Sequence, residues 1–408
     1  MSRSGSALTG AITATMGVSA LLTSGFSAFG PAIRESLVLF RSELSLFSLL
    51  LFITASATSI PWGLLADRLS PLKGISLTFL FAILGLTGVA LAPKLSVLLI
   101  SALAGGCSLA ISATVTNKLV SQFVAFRRRG RVLSTKQMGV QIAQVIAGFL
   151  FPAVAVYFGW RAGLAAGVLV AIIGLIIIVV STRQSFVEHI DQPQRLVSSI
   201  NDSSNTRLLS AMVVFALVTS LCFQSNLFGL PLMGYEELGH NVSTASAVVV
   251  VFGAVGFISR LVWGVFADKP FNIKMVIFAL GIGLFLAEIA ISLSVWFGVA
   301  WAFWLGAVLV GTFFALVPVV LSAVILQNFS ACRIGLISGV ISVSTFAGFA
   351  AGPLLFGIVA DTWSYQHSSF VILAITAVAS LVTWLLLKNK PLKAIEVVES
   401  MESMRKGT

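Results

Sequence analysis

Apolar residues in this chain come in runs too long for a helix buried in a soluble core. Stretches of about twenty residues, the length that crosses the hydrocarbon of a bilayer, recur with few interruptions from residue 8 to residue 387. Each ends at charged residues or at a Gly/Pro break. The pattern predicts twelve membrane-spanning helices, at 8–30, 44–66, 75–92, 95–121, 132–156, 161–182, 207–230, 245–267, 275–295, 298–325, 335–358 and 367–387. The first run has some likeness to a secretory leader. Its length is that of a full span and similar runs follow it, so it reads as the first membrane helix. Between the sixth and seventh runs lies the longest hydrophilic stretch, from Ser181 to Arg207, rich in Ser, Asn, Asp and Gln. It reads as a flexible tether. The expected fold is therefore an all-α membrane protein: a six-helix bundle over 1–182, a linker over 183–206, a second six-helix bundle over 207–387 and a tail over 388–408.

Composition agrees with this pattern. The 408 residues are 58% hydrophobic and 10% charged, and a mean hydropathy of +1.05 is more than the surface of a soluble chain can carry. The net charge of +11 raises the possibility of a nucleic-acid partner, but the positions of the charges give it another meaning. With both ends on one side of the membrane, that side collects Arg3, Arg68, Lys73, Arg127, Arg128, Arg129, Arg131, Arg183, Arg195, Arg207, Lys269, Lys274, Arg333, Lys388, Lys390, Lys393, Arg405 and Lys406. The other side holds Arg34, Arg41, Lys94 and Arg161. Eighteen against four is the positive-inside signature of a chain with cytoplasmic termini. Its expected partners are the bilayer and a small-molecule substrate, not nucleic acid. Three cysteines, Cys107, Cys222 and Cys332, form no CxxC pair, so neither a disulfide framework, a metal nor a cofactor is expected.

Residues 62–74 read WGLLADRLSPLKG and residues 263–274 read WGVFADKPFNIK. Trp62, Gly63, Ala66, Asp67 and Lys73 thus return 201 positions later as Trp263, Gly264, Ala267, Asp268 and Lys274, and Pro152 and Pro353 keep the same offset. Both copies follow an even-numbered span on the basic side, as a parallel repeat of two six-span halves requires. Gly63-x-x-x-Asp67-Arg68-x-x-x-x-Lys73 resembles the loop signature of the major facilitator superfamily, and Gly264-x-x-x-Asp268-Lys269 is similar to its weaker second copy. The resemblance implies two pseudo-symmetric halves and transport by alternating access. An Asp at a helix end accepts hydrogen bonds from the exposed amides of a neighbouring helix N-terminus. By resemblance, Asp67 faces the start of span eleven near Gly335, and Asp268 the start of span five near Arg131. Arg68 and the Arg127 to Arg131 cluster complete a cytoplasmic gate.

The resemblance also implies that spans one, four, seven and ten line a central cavity. Ionisable residues inside spans are functional candidates: Lys118, Lys136, Arg260, Glu288 and Asp361. Lys118 and Lys136 lie near the basic end, where a long side chain is expected to snorkel to the interface. Arg260 precedes Asp268 by eight residues, about 12 Å along a helix, which is deep for snorkelling. In SRLVWG it resembles the span-eight arginine that holds a substrate carboxylate in monocarboxylate and oxalate carriers; the other reading is a structural partner of Asp268 or of a carbonyl. A guanidinium fork suits a planar anion. Span eleven departs from the oxalate pattern by having no lysine, and one buried positive charge favours a monovalent anion. Gln137, Gln141 and Gln144 share a face of span five, either as substrate contacts or as interhelical glue. That stretch is also similar to the cyanate and nitroimidazole carrier branch. Gln224 and Asn226 in span seven and Thr23 in span one, which is flanked by Ser19 and Ser27, complete the binding candidates. Pro318 and Pro353 are expected hinges, and Gly348 with Gly352 an expected close-packing pair.

No GxxxxGK[ST] phosphate loop is present, so transport is expected to run on gradients, with Glu288 and Asp361 as the acids available for proton coupling. The absence of HExxH and GxSxG speaks against an enzyme. A sensor with this fold is also disfavoured, because long tails or added domains are missing. The expected function is secondary uptake of a small monovalent anion, resembling a monocarboxylate, coupled to protons. The alternative is drug or metabolite efflux by proton antiport, although span five lacks the Gly-Pro core of that pattern. A monomer in a bacterial inner membrane is expected; Asn241-Val242-Ser243 matches a glycosylation sequon, which alone is weak support for another origin.

Overall fold

The computed structural model describes residues 3–124, 126–182, 206–266, 273–329 and 334–388. The described residues form helices and their connections. α1 (Arg3–Ala28) is followed by a short α2 (Gly30–Leu37), which the hydrophobic pattern does not predict. The rest are α3 (Arg41–Arg68), α4 (Pro71–Ala90), α5 (Leu95–Phe123), α6 (Phe126–Thr182), α7 (Thr206–Glu236), α8 (Val242–Phe266), α9 (Ile273–Phe297), α10 (Ala300–Asn328), α11 (Ile334–Thr362) and α12 (Tyr365–Lys388). Eleven of them are long and apolar enough to cross a membrane, and the apolar part of α6, 50 residues, is long enough to cross twice. Gly159 breaks α6 at φ 82°, a backbone region that residues with a Cβ rarely enter. The two arms of α6 therefore match the fifth and sixth expected spans, whose predicted gap contains Gly159.

In a bilayer the helix interior must satisfy its own backbone, so internal prolines are tolerated where neighbouring helices cover the freed carbonyls. Pro61, Pro152, Pro231, Pro318 and Pro353 all lie inside helices. Lipid tails offer no hydrophobic drive for helix association, so packing relies on small residues that let backbones meet. α1 packs most extensively on α6, and α11 on α7. A Cβ on Gly17 would stand 2.8 Å from the Gly139 carbonyl oxygen, and one on Gly139 would collide with the carbonyl of Thr13. In the second half, a Cβ on Gly348 or Gly352 would collide with the carbonyls of Leu217 or Leu221. The expected close-packing pair thus seats α11 directly on the backbone of α7.

Two further helix pairs join early and late parts of the chain: α3 with α11, and α6 with α8. Rings link several of these helices. Phe223 of α7 stacks on Phe314 of α10 at 3.8 Å, lies 5.7 Å from Phe252 of α8 and 6.3 Å from Phe349 of α11, and Phe349 is 5.0 Å from Phe52 of α3. Because Gly139 has no room for a side chain, Gly139→Val is expected to destabilise the bundle by about 1–3 kcal/mol, the usual cost of overpacking. Gly10→Ala, with nothing within 4 Å of the new carbon, is expected to leave stability unchanged. Thermal unfolding of the purified variants in detergent checks both.

Candidate functional site

The deepest basic residue predicted from sequence is buried where three helices meet. Arg260 of α8 is 5% exposed. Its Nη1 donates to the Gln137 carbonyl and to Gln141 Oε1, both on α6. Its Nε donates to the Ala315 carbonyl of α10 at 2.9 Å. All these acceptors are neutral. The approach depends on glycine: a Cβ on Gly253 would lie 2.6 Å from the Gln141 carbonyl oxygen, and one on Gly256 would lie 3.0 Å from Gln141 Cγ. Gln144, one turn further along α6, is buried with its Oε1 unpartnered. Three of the binding candidates thus meet: Arg260, Gln141 and, through its backbone, Gln137.

The other binding candidates lie differently. Thr23 donates to the carbonyl of Ala20 on its own helix at 3.0 Å. Gln224 is 3% exposed and its Nε2 has no hydrogen-bond partner. Asn226 turns to α9, donating to Glu288 Oε1 at 2.6 Å and to the Cys222 carbonyl at 2.9 Å. Cys222 Sγ donates to the same Glu288 oxygen at 2.7 Å. Glu288 is 1% exposed, and its Oε2 carries no hydrogen bond. Asn226 and Glu288, one expected to bind substrate and the other to carry protons, are in contact.

Snorkelling does not describe Lys136. Lys136 is 5% exposed and donates to Asn117 Oδ1 at 2.5 Å and Thr116 Oγ1 at 3.3 Å. Lys118 donates to the carbonyls of Ala66, at 2.6 Å, and Leu69, at 3.2 Å, where α3 ends. It thereby satisfies acceptors that a helix C-terminus leaves open. Those carbonyls flank Asp67 and Arg68. Arg68 is exposed, and Gly63 makes only ordinary contact with Thr114, at 3.9 Å from a built Cβ. Asp268 lies outside the described residues. The same holds for the side chains of Asp67 and Arg131 and for the surroundings of Gly264 and Gly335.

At the opposite face of the bundle, which carries α2, the structure holds a polar network. Glu236 of α7 accepts from Arg34 Nη1 at 2.8 Å and from Arg41 Nη2 at 2.5 Å. Arg41 Nε donates to the Tyr365 hydroxyl at 2.8 Å, and the guanidinium lies 4.7 Å from that ring. Asp361 uses both oxygens at the start of α3: Oδ1 accepts from the Arg41 amide at 3.2 Å and pairs with Arg41 Nη1 at 3.4 Å, and Oδ2 accepts from the Ser42 amide at 2.7 Å. A carboxylate on exposed amides at a helix N-terminus is stabilised by the helix dipole. Arg34 and Arg41 entered the sequence reading only as topology markers. Between α3 and α11, beyond Phe52, lies a cavity of ≈ 240 Å³ lined by Phe52, Ile53, Ser56, Ala57, Phe346, Ala347 and Ala350.

The sequence profile of the Major Facilitator Superfamily matches residues 12–329. The chain belongs to this superfamily. It is an integral membrane transporter of small molecules, not an enzyme. No curated protein matches the sequence. Among solved structures, a bacterial homologue of the human lysosomal transporter Spinster, inward-facing and occupied, is similar with a TM-score of 0.75 at 13% identity, over 96% of this chain and 98% of that one. The same kind of protein, inward-facing and unoccupied, is similar at 0.73 and 14% identity, over 95% of this chain and 97% of that one. At such identities the likeness is one of fold, and it extends past residue 329, where the profile match ends. α3 and α11, which pack on each other, belong to different expected halves.

Proposed function

We propose that this chain is a secondary active transporter of a small organic anion, and that Arg260 is the group that holds it. The observation carrying the reading is a guanidinium 5% exposed whose described partners are two carbonyls and one amide oxygen. A buried cation without a counter-charge is costly. An anion that displaced Gln141 would supply the counter-charge and accept the fork's paired donors. The two halves, 1–182 and 207–387, rock about the central site, with both termini in the cytoplasm and the protein a monomer in a bacterial inner membrane.

Asp361 serves as a latch in this scheme. α3 and α11 run antiparallel, and Asp67 and Asp361 are the penultimate residues of the two helices. Asp361 caps α3 at the α2 face; Asp67, by resemblance, caps α11 at the other. Closing one latch while the other is open yields alternating access. The closed Asp361 latch and the cavity beyond Phe52 support an inward-open arrangement.

Uptake is coupled to protons through Glu288. Its Oε2 is the atom at which a proton can be added without breaking a contact. Its Oε1 is tied through Asn226 and Cys222 to α7, a helix that lines the cavity by resemblance. The test is uptake of a panel of radiolabelled small carboxylates into proteoliposomes, with and without an inward proton gradient. Saturable uptake that the gradient stimulates is expected. Movement of cations or neutral drugs outward, and of no anion, would overturn the reading in favour of efflux. Glu288→Gln keeps an acceptor for Asn226 and Cys222 but holds no exchangeable acid. It is expected to lose gradient-driven accumulation while retaining exchange of labelled for unlabelled substrate. Accumulation as in the wild type would remove Glu288 from the coupling step.

A further inference from the structure

A buried guanidinium that takes an anion out of water must also release it, and release leaves the charge bare. The cost of an unpaired buried charge then favours rebinding. Beside Arg260 stands a neutral group that fills this gap. Gln141 is 3% exposed, and its amide oxygen accepts from the same Nη1 that bonds the Gln137 carbonyl. The Gln137 and Ala315 carbonyls are fixed in the backbones of α6 and α10, whereas the Gln141 oxygen sits on a rotatable side chain. The amide lies in a slot that a missing side chain leaves open. A Cβ on Gly256 would stand 3.0 Å from Gln141 Cγ, 3.1 Å from its Nε2 and 3.3 Å from Ala315 Cβ. The bond also joins parts of the chain that the proposed mechanism moves apart, since α6 belongs to the first proposed half and α8 to the second. At the start of α8, Ser246 donates to the Ala28 carbonyl at the end of α1 at 2.6 Å. Near the other end of α8, Arg260 and Gln141 form another cross-link between the halves.

We propose that Gln141 is an internal competitor for the substrate: a positioning residue whose amide oxygen holds Arg260 Nη1 in the empty carrier, gives way to the anion, and returns to replace it. This rests on the reading of Arg260 as the anion anchor. A carboxylate is a stronger acceptor for a guanidinium than a neutral amide, so an arriving anion displaces Gln141. Because the amide stabilises the empty site, it lowers the net affinity and keeps the anion from being trapped. Its displacement also removes a bond between α6 and α8. Occupancy of the site therefore frees a seam that the empty carrier holds closed. Gln141, a substrate contact in the sequence reading, acts on the substrate by leaving.

The experiment titrates the purified carrier with small monocarboxylates from acetate to benzoate, following the rise in unfolding temperature, and measures uptake of the same acids in proteoliposomes. Gln141→Leu removes the amide oxygen and keeps the bulk. Its empty form is expected to unfold at a lower temperature than the wild type, because Arg260 loses an acceptor. It is expected to bind carboxylates about 10-fold more tightly, the scale of one bond to a charged group, and to show a lower KM together with a lower kcat as release slows. Gly256→Ala leaves both side chains in place and pushes the amide from its slot, so affinity is expected to rise by a smaller factor. Gln141→Glu sets a permanent carboxylate on Arg260 and is expected to abolish carboxylate binding, with an empty form that unfolds no earlier than the wild type. A Gln141→Leu carrier that binds carboxylates more weakly than the wild type, or equally well, overturns the proposal and leaves the Arg260 reading intact. Should that variant fail to fold, the other two decide: a Gln141→Glu carrier that still binds carboxylates, or a Gly256→Ala carrier with no gain in affinity, overturns it. If no carboxylate shifts the unfolding temperature of the wild type or of Gln141→Leu, the Arg260 reading has failed and this one with it.

Discussion

Arg260→Gln is expected to reduce the efficiency of anion uptake by at least about 100-fold, the scale of losing one buried charge-assisted contact together with its fork geometry. Glutamine reaches less far and carries no charge, so the Gln137 and Ala315 carbonyls lose their donor and the anion its anchor. Some of the effect will be structural, because unsatisfied buried acceptors cost about 1–3 kcal/mol. Arg260→Lys separates the two contributions. It keeps a charge but not the paired donors, so a substrate anchor predicts partial recovery of uptake with a raised KM. A residue that only tied α8 to α6 and α10 would show parallel losses of stability and transport in both variants. Uptake by Arg260→Gln equal to that of the wild type, in a folded carrier, would show that the arginine does not hold the substrate.

Much of the architecture was legible because the bilayer imposes it. The length of each apolar run sets a span. The gap predicted between 156 and 161 holds Gly159, where α6 breaks. Short α2 was missed because eight residues at a membrane edge carry no span-length signal. The Arg260 site was half legible: the spacing placed Gln137, Gln141 and Gln144 on one face of a helix, but only packing shows that Gln137 contributes its carbonyl. Lys136 was misread for a related reason. Whether a lysine near a helix end reaches water depends on what lies beside it, and Lys118 finds the end of α3 while Lys136 finds Asn117. The α2-face network was invisible, since Arg41 meets Glu236 and Asp361 across 195 and 320 residues of sequence. No local pattern encodes such pairs.

Distant pairing of this kind is what a gate requires, and Asp361→Asn tests it. Asparagine can still accept from one amide of α3, but it loses the charge that Arg41 and the helix dipole share. With one ion pair and one charge-assisted bond weakened, at about 1.5–3 kcal/mol for a bond to a charged group, the ratio of outward-open to inward-open carrier is expected to rise about 10- to 100-fold. Phe40 and Trp363 stand on the two sides of the network and are 66% and 69% exposed, so spin labels at these positions report the separation by pulsed electron resonance. The variant should gain a population at longer distance. Asp67→Asn should act in the opposite sense, removing long-distance populations, because the latch at the other end of the same antiparallel helix pair is then the weakened one. The double variant should return toward the wild-type distribution, since the two latches oppose each other across a single equilibrium. A distance distribution that Asp361→Asn leaves unchanged would mean that the backbone contact of Gly357 with Arg41, where a built Cβ stands 2.8 Å from the carbonyl oxygen, closes this face without the carboxylate.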